Sequence, residues 1–167
     1  MKSEKITETE NLLDGIFSLC KTKGVMIAVC ESLTGGLVCD TLISRAGASA
    51  YVYEGVTAYS NQAKNRRLFV KEETLESFGA VSAETAIEMA RGLFKSGAVG
   101  LTVSTTGIAG PDGGSADKPV GLTYIGVCDG LQAHAYRYVF DGGRNDIRNQ
   151  AALETLKRLK EGLSAII

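Results

Sequence analysis

Residues 25–36 have the sequence VMIAVCESLTGG. The first six residues form a continuous apolar run of strand length, which is typical of a strand covered on both faces. Small polar residues and two glycines follow at 31–36, and they turn the chain into a helix that we expect to reach residue 44. A buried strand that leads directly into a helix indicates an α/β protein, since such strands lie in sheets covered by helices.

The rest of the chain alternates helical and strand patterns in the same way. We expect helices at 8–22, 61–69, 71–78, 83–96 and 146–163, and strands at 51–60, 100–105, 120–129 and 131–140. The last two strands flank Asp129-Gly130, a pair that tight hairpin turns prefer, so the sheet is mixed. With no repeat or linker in the pattern, the sequence predicts a single-domain three-layer α/β/α sandwich over residues 1–167.

Composition excludes several classes of protein. The chain has 167 residues, 44% of them hydrophobic, which is ample for one packed domain. A formal charge of -1 provides no basic field, so we expect no nucleic-acid partner. The chain has no apolar run long enough for a membrane span, and its polar start lacks the core of a secretory signal, so we expect a cytoplasmic protein. The four cysteines lack zinc-site spacing, and we expect them to be buried.

Residues 47–64, GASAYVYEGVTAYSNQAK, contain a candidate nucleophile and a candidate base. Ser49 precedes Tyr59 by ten residues and Lys64 by fifteen, and His134 is the only histidine of the chain. Hydroxyl nucleophiles need a base beside them, and histidine is the usual one. Lysine is therefore the natural candidate for the base. The alternative is a surface loop, an edge strand and a solvated lysine.

Three segments end an apolar strand in small polar residues and glycine. At ESLTGG (31–36), backbone N–H groups at a helix start can bind phosphate, with hydroxyls from Ser32 and Thr34. A simple helix cap by one of these two hydroxyls explains the same pattern equally well. At the second segment, Thr106 and Gly107 follow a strand at the end where open α/β sheets bind ligands. The third, YVFDGGR, places Arg144 just before the last helix.

Two common nucleotide-binding patterns are absent from these segments. The chain has no G-x-G-x-x-G fingerprint after its first strand, and Lys118 is not followed by the hydroxyl residue that a Walker A loop requires. The residues alone therefore favour an α/β protein with a small anionic ligand, and they give little support to an ATP-dependent kinase or ligase.

Five segments in order, ESLTGG (31–36), AYSNQAK (58–64), GAVSAETA (79–86), TGIAGPDGG (106–114) and KPVG (118–121), resemble the CinA C-terminal domain family. The similarity extends from the first strand to the last helix. Larger CinA proteins carry an additional N-terminal domain for which this chain is too short, so it resembles the stand-alone form.

The resemblance implies an activity. Characterised members are nicotinamide mononucleotide deamidases, which hydrolyse the carboxamide to give nicotinic acid mononucleotide and ammonia in pyridine nucleotide salvage. The resemblance also implies that the enzyme uses no metal and no organic cofactor. It implies a homodimer or higher homo-oligomer that binds a small nucleotide substrate. We expect neither a nucleic acid nor a membrane as a partner. A non-catalytic nucleotide-binding module of the same fold is the alternative.

The resemblance also implies roles for individual residues. A serine of a Gly-Ser-Ser segment is the family's nucleophile, and here that segment is Gly47-Ala48-Ser49, so the nucleophile is assigned to Ser49. Lys64 and Tyr59 match the family's catalytic lysine and tyrosine. The expected substrate-binding residues are Ser32, Thr34, Gly35, Gly36, Thr106, Gly107 and Arg144, with the phosphate at the helix start 34–36. Phe69 stands where the family usually has glycine, and we expect it to alter a turn.

The expected mechanism places one requirement on Lys64. Its side chain is protonated at neutral pH when free in water and then cannot accept a proton. Desolvation, or a nearby cation such as Arg144, must therefore lower its pKa. Tyr59 is expected to align Lys64 or Ser49, or to relay the proton.

Overall fold

The computed structural model describes residues 2–95 and 99–166. In chain order its elements are α1 (Lys2–Lys23), β1 (Ile27–Glu31), α2 (Leu37–Ile43), a 3₁₀ helix (Ala48–Ala50), β2 (Val52–Thr57), α3 (Asn61–Leu68), α4 (Glu72–Phe78), α5 (Ala83–Phe94), β3 (Leu101–Gly107), β4 (Leu122–Cys128), β5 (Ala133–Val139) and α6 (Arg144–Ala165). None of the helices in these ranges combines the length and apolar character that a membrane crossing needs.

The five strands form one mixed sheet in the order β2-β1-β3-β4-β5. The first three are mutually parallel, and β4 and β5 are antiparallel additions joined by the predicted hairpin, where Gly130 has a φ of 88°. Helices α1, α2 and α6 cover one face, and α3, α4 and α5 lie on the other. The prediction of a three-layer α/β/α fold with a mixed sheet is confirmed.

The sheet has a hydrophobic core on each face, and successive side chains of β1 point alternately into the two cores. Ile27 and Val29 pack against α1, α2 and α6, whereas Ala28 and Cys30 pack against α3 and α5. All five residues of the strand are buried, as the continuous apolar run predicts for a strand covered on both faces. Three of the four cysteines are likewise buried as predicted, and Cys39 is half-buried.

Each predicted helix and strand exists, and its bounds shift by a few residues. The strand predicted at 51–60 stops at Thr57, where pairing with β1 ends, and the Ala58 N–H then donates to the Glu31 carbonyl. Ser82 caps α5 by accepting from the Thr85 N–H at 3.1 Å. The predicted end of that helix at residue 96 lies outside the described residues.

The parallel register sets where the functional side chains meet. Glu31, the last residue of β1, pairs with Thr57 on one side and Thr105 on the other. The carboxyl ends of β1, β2 and β3 therefore lie together at one end of the sheet, which we call the carboxyl edge. Ligands of open α/β sheets bind at this edge.

Candidate active site

A cavity of about 170 Å³ opens at the carboxyl edge. Its walls come from the ends of all three parallel strands, the loop before α5 and the first residue of α6. The lining residues are Ser32, Leu33, Tyr59, Lys64, Ala80, Val81, Thr106, Gly107, Ala109 and Arg144. Six of them are predicted site residues: Ser32, Tyr59, Lys64, Thr106, Gly107 and Arg144.

Lys64 is the most unusual group in this cavity. It lies in the first turn of α3, and its side chain is only 1% exposed. The Nζ atom lies 3.0 Å from Ser32 Oγ, 3.1 Å from the Ala58 carbonyl oxygen and 2.9 Å from the Tyr59 carbonyl oxygen. All three neighbours are uncharged, and among the residues that the structure describes no ion pair to this amine is found. Burial lowers the pKa of Lys64 to about 8, and the Cys30 thiol acts on it in the opposite direction.

This arrangement accommodates both protonation states of the amine, and the ammonium donates to all three oxygens. A neutral amine carries two hydrogens and one lone pair. The Ala58 and Tyr59 carbonyls can only accept hydrogen bonds, so they take both hydrogens. In the neutral form the lone pair is left for the Ser32 hydroxyl, which can then donate to it. The expected lowering of the pKa is present, and desolvation causes it, not the cation Arg144 that the sequence also suggested.

Ser32 is fixed by the sheet. It follows β1 directly, and its N–H donates to the Thr105 carbonyl at 3.0 Å, which extends the β1–β3 pairing by one residue. The side chain is buried. Once the Lys64 amine has lost its proton, a hydroxyl held in this way beside it can be activated as a nucleophile.

Tyr59 and Arg144 form the mouth of the cavity. The Arg144 guanidinium donates through Nη1 to the Gly110 carbonyl at 2.7 Å and through Nη2 to the Tyr59 hydroxyl at 3.3 Å. Tyr59 contacts Lys64 through its backbone carbonyl, and its 64% exposed side chain points to the mouth. The expectation that the phenol aligns Lys64 or relays its proton is therefore wrong for this geometry.

Thr106 and Gly107 form part of the cavity wall. The Thr106 hydroxyl donates to the Ala80 carbonyl at 2.6 Å and so fixes the loop before α5. A Cβ at Gly107 would lie 2.6 Å from the Leu122 carbonyl oxygen, so this position requires glycine. Both residues border the cavity as predicted.

The predicted contact of Ser49 with Lys64 is wrong. Ser49 lies in the 3₁₀ helix before β2, whereas Lys64 lies in the helix after that strand. The five steps of β2 from Val52 to Thr57 separate the two ends by about 16 Å at 3.3 Å per residue. Ser49 is exposed and lines an open groove with residues such as Ile43. The serine that Lys64 contacts is Ser32, on the neighbouring strand.

The prediction of a phosphate site at 34–36 is also wrong, because a carboxylate already occupies the start of α2. Glu31 Oε2 accepts from the N–H groups of Gly36 at 2.9 Å and Val38 at 3.2 Å, and Oε1 accepts from Cys39 at 2.8 Å. The Glu31 carboxylate is therefore the anion bound at the start of α2, and these N–H groups are not available to a phosphate. The predicted alternative, a cap by Ser32 or Thr34, fails for the same reason.

The other residues of this predicted phosphate site have structural roles. The fully buried Thr34 hydroxyl is hydrogen-bonded to the Thr105 hydroxyl at 2.7 Å. Gly35 and Gly36, with φ of 64° and 103°, allow the turn into α2. The lining residues of the cavity include none of the three, although Thr34 is joined by its backbone N–H to Leu33, which lines the cavity.

Arg148 is a residue of this region that sequence reasoning missed. It donates through Nε to the Leu33 carbonyl at 3.0 Å and through Nη2 to the Thr34 carbonyl at 2.9 Å. It follows Arg144 by four residues in α6, which places both on one helix face. The spacing of four residues from Arg144 is the sequence feature that could have identified Arg148 as a residue of this region.

The comparisons with known proteins agree with the fold and give the family. The family model of the CinA C-terminal domain matches residues 9–163. A CinA-like protein of Kosmotoga olearia is 45% identical over 158 residues, which are 95% of this chain and 38% of that protein. A putative competence-damage inducible protein of Clostridioides difficile is 46% identical over 156 residues, 93% of this chain and 37% of that protein. The chain thus spans well under half the length of these relatives.

Solved structures of proteins with competence-damage names have the same fold as this chain. A competence/damage inducible protein of Agrobacterium tumefaciens superposes with a TM-score of 0.89 at 38% identity, covering 94% of this chain and 96% of that one. A competence damage-inducible protein A of Klebsiella pneumoniae gives a TM-score of 0.90 at 28% identity, covering 95% of this chain and 99% of that one. The family match covers most of the chain, and the chain belongs to the CinA C-terminal domain family.

Proposed function

We propose that this protein is a nicotinamide-nucleotide amidase that hydrolyses the carboxamide of nicotinamide mononucleotide to nicotinic acid mononucleotide and ammonia. The observation that carries the proposal is the buried Lys64 amine, 3.0 Å from the Ser32 hydroxyl within a small cavity. The resemblance to characterised deamidases of the family supports the choice of substrate. The nucleophile is assigned to Ser32 in place of Ser49.

In the first half of the reaction, Ser32 Oγ attacks the carboxamide carbon while neutral Lys64 accepts the hydroxyl proton. A tetrahedral intermediate forms, with its negative charge on the former carbonyl oxygen. The Lys64 ammonium then donates a proton to the leaving nitrogen, the C–N bond breaks and ammonia departs. Ser32 is left as an ester of the pyridine carboxylate.

In the second half, water takes the place of ammonia. Lys64, neutral again, accepts a proton from this water as its oxygen attacks the ester carbon. Collapse of the second tetrahedral intermediate breaks the bond to Ser32 Oγ, which recovers its proton from Lys64, and the carboxylic acid product leaves and releases its remaining proton to water. One amine thus serves as base and then acid in both halves. These steps use no metal ion or organic cofactor.

The size of the cavity and the charge at its mouth support a nucleotide substrate. A volume of about 170 Å³ lies below the roughly 300–1,000 Å³ of pockets that enclose drug-sized ligands. The cavity therefore takes the ring and carboxamide, and the ribose phosphate stays at the mouth. There, the guanidinium of Arg144 is the cation that can bind phosphate.

Ala48 and Phe69 depart from the family pattern and so favour the non-catalytic alternative, but neither lines the cavity. Ala48 is buried near the opposite end of β2, and Phe69 is exposed at the end of α3. Ammonia release from nicotinamide mononucleotide, measured after EDTA treatment, tests the proposal. We expect turnover that Ser32→Ala and Lys64→Met both abolish. Tight binding of the nucleotide without ammonia release by the unmodified protein would support the binding module instead.

Two further expectations stay predictions. The family resemblance implies a homodimer or higher homo-oligomer, which light scattering of the purified protein tests. The cytoplasmic location expected from the polar start of the chain also stays a prediction, which fractionation of the producing cell tests.

A further inference from the structure

We infer that Arg148 is a positioning residue for the proposed reaction: it holds the loop after Ser32 so that the Thr34 N–H faces the oxyanion formed when Ser32 attacks. The inference rests on the proposed function and adds the groups that stabilise its transition state. Oxyanion donors are often the largest single contribution to acyl-transfer catalysis.

The guanidinium of Arg148 joins α6 to two successive carbonyls. Its Nε donates to the Leu33 carbonyl and its Nη2 to the Thr34 carbonyl, and Nη1 donates to Asn145 Oδ1 at 3.1 Å. The planar fork of arginine fixes both carbonyl directions at once, which a single lysine nitrogen does not do.

These contacts determine where the Thr34 N–H points. The peptide bond between Leu33 and Thr34 is trans, so its C=O and N–H groups point in opposite directions. Because the Leu33 carbonyl points to Arg148, the Thr34 N–H points away from α6. Leu33 lines the cavity, so this peptide group lies at its border.

The backbone donors of this loop are otherwise accounted for. The N–H of Gly35 donates to the Ser32 carbonyl at 3.1 Å, and the N–H of Gly36 donates to Glu31. Within residues 2–95 and 99–166, the N–H groups of Leu33 and Thr34 donate to no protein acceptor. The N–H of the residue directly after a nucleophile at a strand end is a known oxyanion donor, which here is Leu33, and the Thr34 N–H is the next donor along the turn. The charge on Arg148 polarises the same peptide and strengthens its N–H as a donor.

The test compares Arg148→Met and Arg148→Lys with Arg158→Met. Arg158 lies on the same helix but contacts Tyr138 and Glu161, so its variant controls for loss of an α6 arginine. Four readouts are needed: kcat and KM for nicotinamide mononucleotide, the pH midpoint of the rate, the affinity for the product, and the affinity for pyridine-3-boronic acid. Boronic acids form a tetrahedral adduct with a nucleophilic serine and so imitate the intermediate.

For Arg148→Met we expect kcat to fall about 100-fold, as for loss of one oxyanion donor, and the boronate affinity to fall in parallel. The KM, the product affinity and the pH midpoint should stay unchanged, because the ring cavity and Lys64 are intact. Arg148→Lys should recover part of the loss through one carbonyl contact, and Arg158→Met should match the unmodified protein. If Arg148→Met does not fold, Arg148→Lys must show the same division between kcat and KM at smaller size.

The inference is overturned if Arg148→Met, or Arg148→Lys in its place, keeps kcat, or loses product and boronate affinity equally. Failure of the proposed function is recognised separately, because the unmodified protein would then release no ammonia. That outcome removes the inference together with the function. An active unmodified protein with an equally active Arg148 variant removes the inference alone.

Discussion

The amine of Lys64 and the hydroxyl of Ser32 lie 3.0 Å apart, although 32 residues separate them in the chain. The contact exists because β1 and β2 are parallel neighbours: Ser32 directly follows β1, and Lys64 lies in α3, the helix that follows β2. The carbonyls of Ala58 and Tyr59 hold the amine from the other side. The chemistry proposed for the protein depends on this amine being neutral.

The rate should therefore depend on pH through Lys64. Its pKa is lowered to about 8, and only the neutral amine accepts the Ser32 proton, so kcat/KM should rise with pH and level off above 8. At pH 7 about one-tenth of the enzyme would carry the neutral amine. A pH–rate profile for ammonia release measures this. A midpoint near 10.5, the ordinary value of lysine, would contradict the desolvated-base account.

Stability should depend on the carboxylate that begins α2. Glu31→Ala leaves three backbone N–H groups without their acceptor, and we expect the free energy of unfolding to fall by about 2–5 kcal/mol. Urea unfolding measures the change, with Glu161→Ala as a control, since that exposed carboxylate bonds only at the surface and its loss should cost under about 1 kcal/mol. An equal decrease in the free energy of unfolding for both variants would show that the three Glu31 hydrogen bonds stabilise the protein no more than a surface ion pair does.

Arg144 should distinguish substrates that carry a phosphate from those that lack one. We expect Arg144→Met to raise KM for nicotinamide mononucleotide about 10- to 100-fold, the value of one charge-assisted contact. The KM for nicotinamide riboside, which has no phosphate, should change little. Steady-state kinetics with both substrates measures the ratio. Equal increases for the two substrates would place the phosphate elsewhere.

Phe69 occupies a backbone conformation that costs stability. Its φ is 56° at the end of α3, a left-handed conformation, and its side chain is 63% exposed, so little packing opposes replacement. We expect Phe69→Gly to raise the free energy of unfolding by about 0.5–1 kcal/mol. Gly24→Ala is the matched control: with a φ of 65° and no atom within 4 Å of the added Cβ, it should lose about 1 kcal/mol. An unchanged Gly24→Ala would show that the conformation itself is inexpensive here.

The sequence was sufficient for the fold because the pattern of each element is local. The continuous apolar run of β1 predicts burial on both faces, and the Asp129-Gly130 turn predicts the antiparallel end of the sheet. Lys64 was also found, since a base was required and histidine was scarce. Sequence spacing did not give its partner, because contacts between parallel strands join residues that are distant in the chain.

The two corrections at the site have specific causes. The strand predicted at 51–60 lies between Ser49 and Lys64. Because a strand is extended, it holds residues before and after it far apart, so the two side chains do not meet although they are close in sequence. The helix start at 34–36 carried the right donors for phosphate, but Glu31 lies close enough in the chain to fill it first. The sequence contains Ser32 and Glu31, the residues that fill these two roles. Only the register of β1 against β2 and β3 shows which group each side chain contacts.

The most direct test of the account compares two serine variants of the same size, Ser32→Ala and Ser49→Ala, in ammonia release from nicotinamide mononucleotide. We expect Ser32→Ala to lose at least about a thousandfold in kcat, because the nucleophile is gone, while nucleotide binding persists. Ser49→Ala should keep the kcat of the unmodified protein, since its exposed side chain lies at the other end of β2. Full activity of Ser32→Ala with loss of activity in Ser49→Ala would contradict the assignment of the Lys64–Ser32 pair as the catalytic centre.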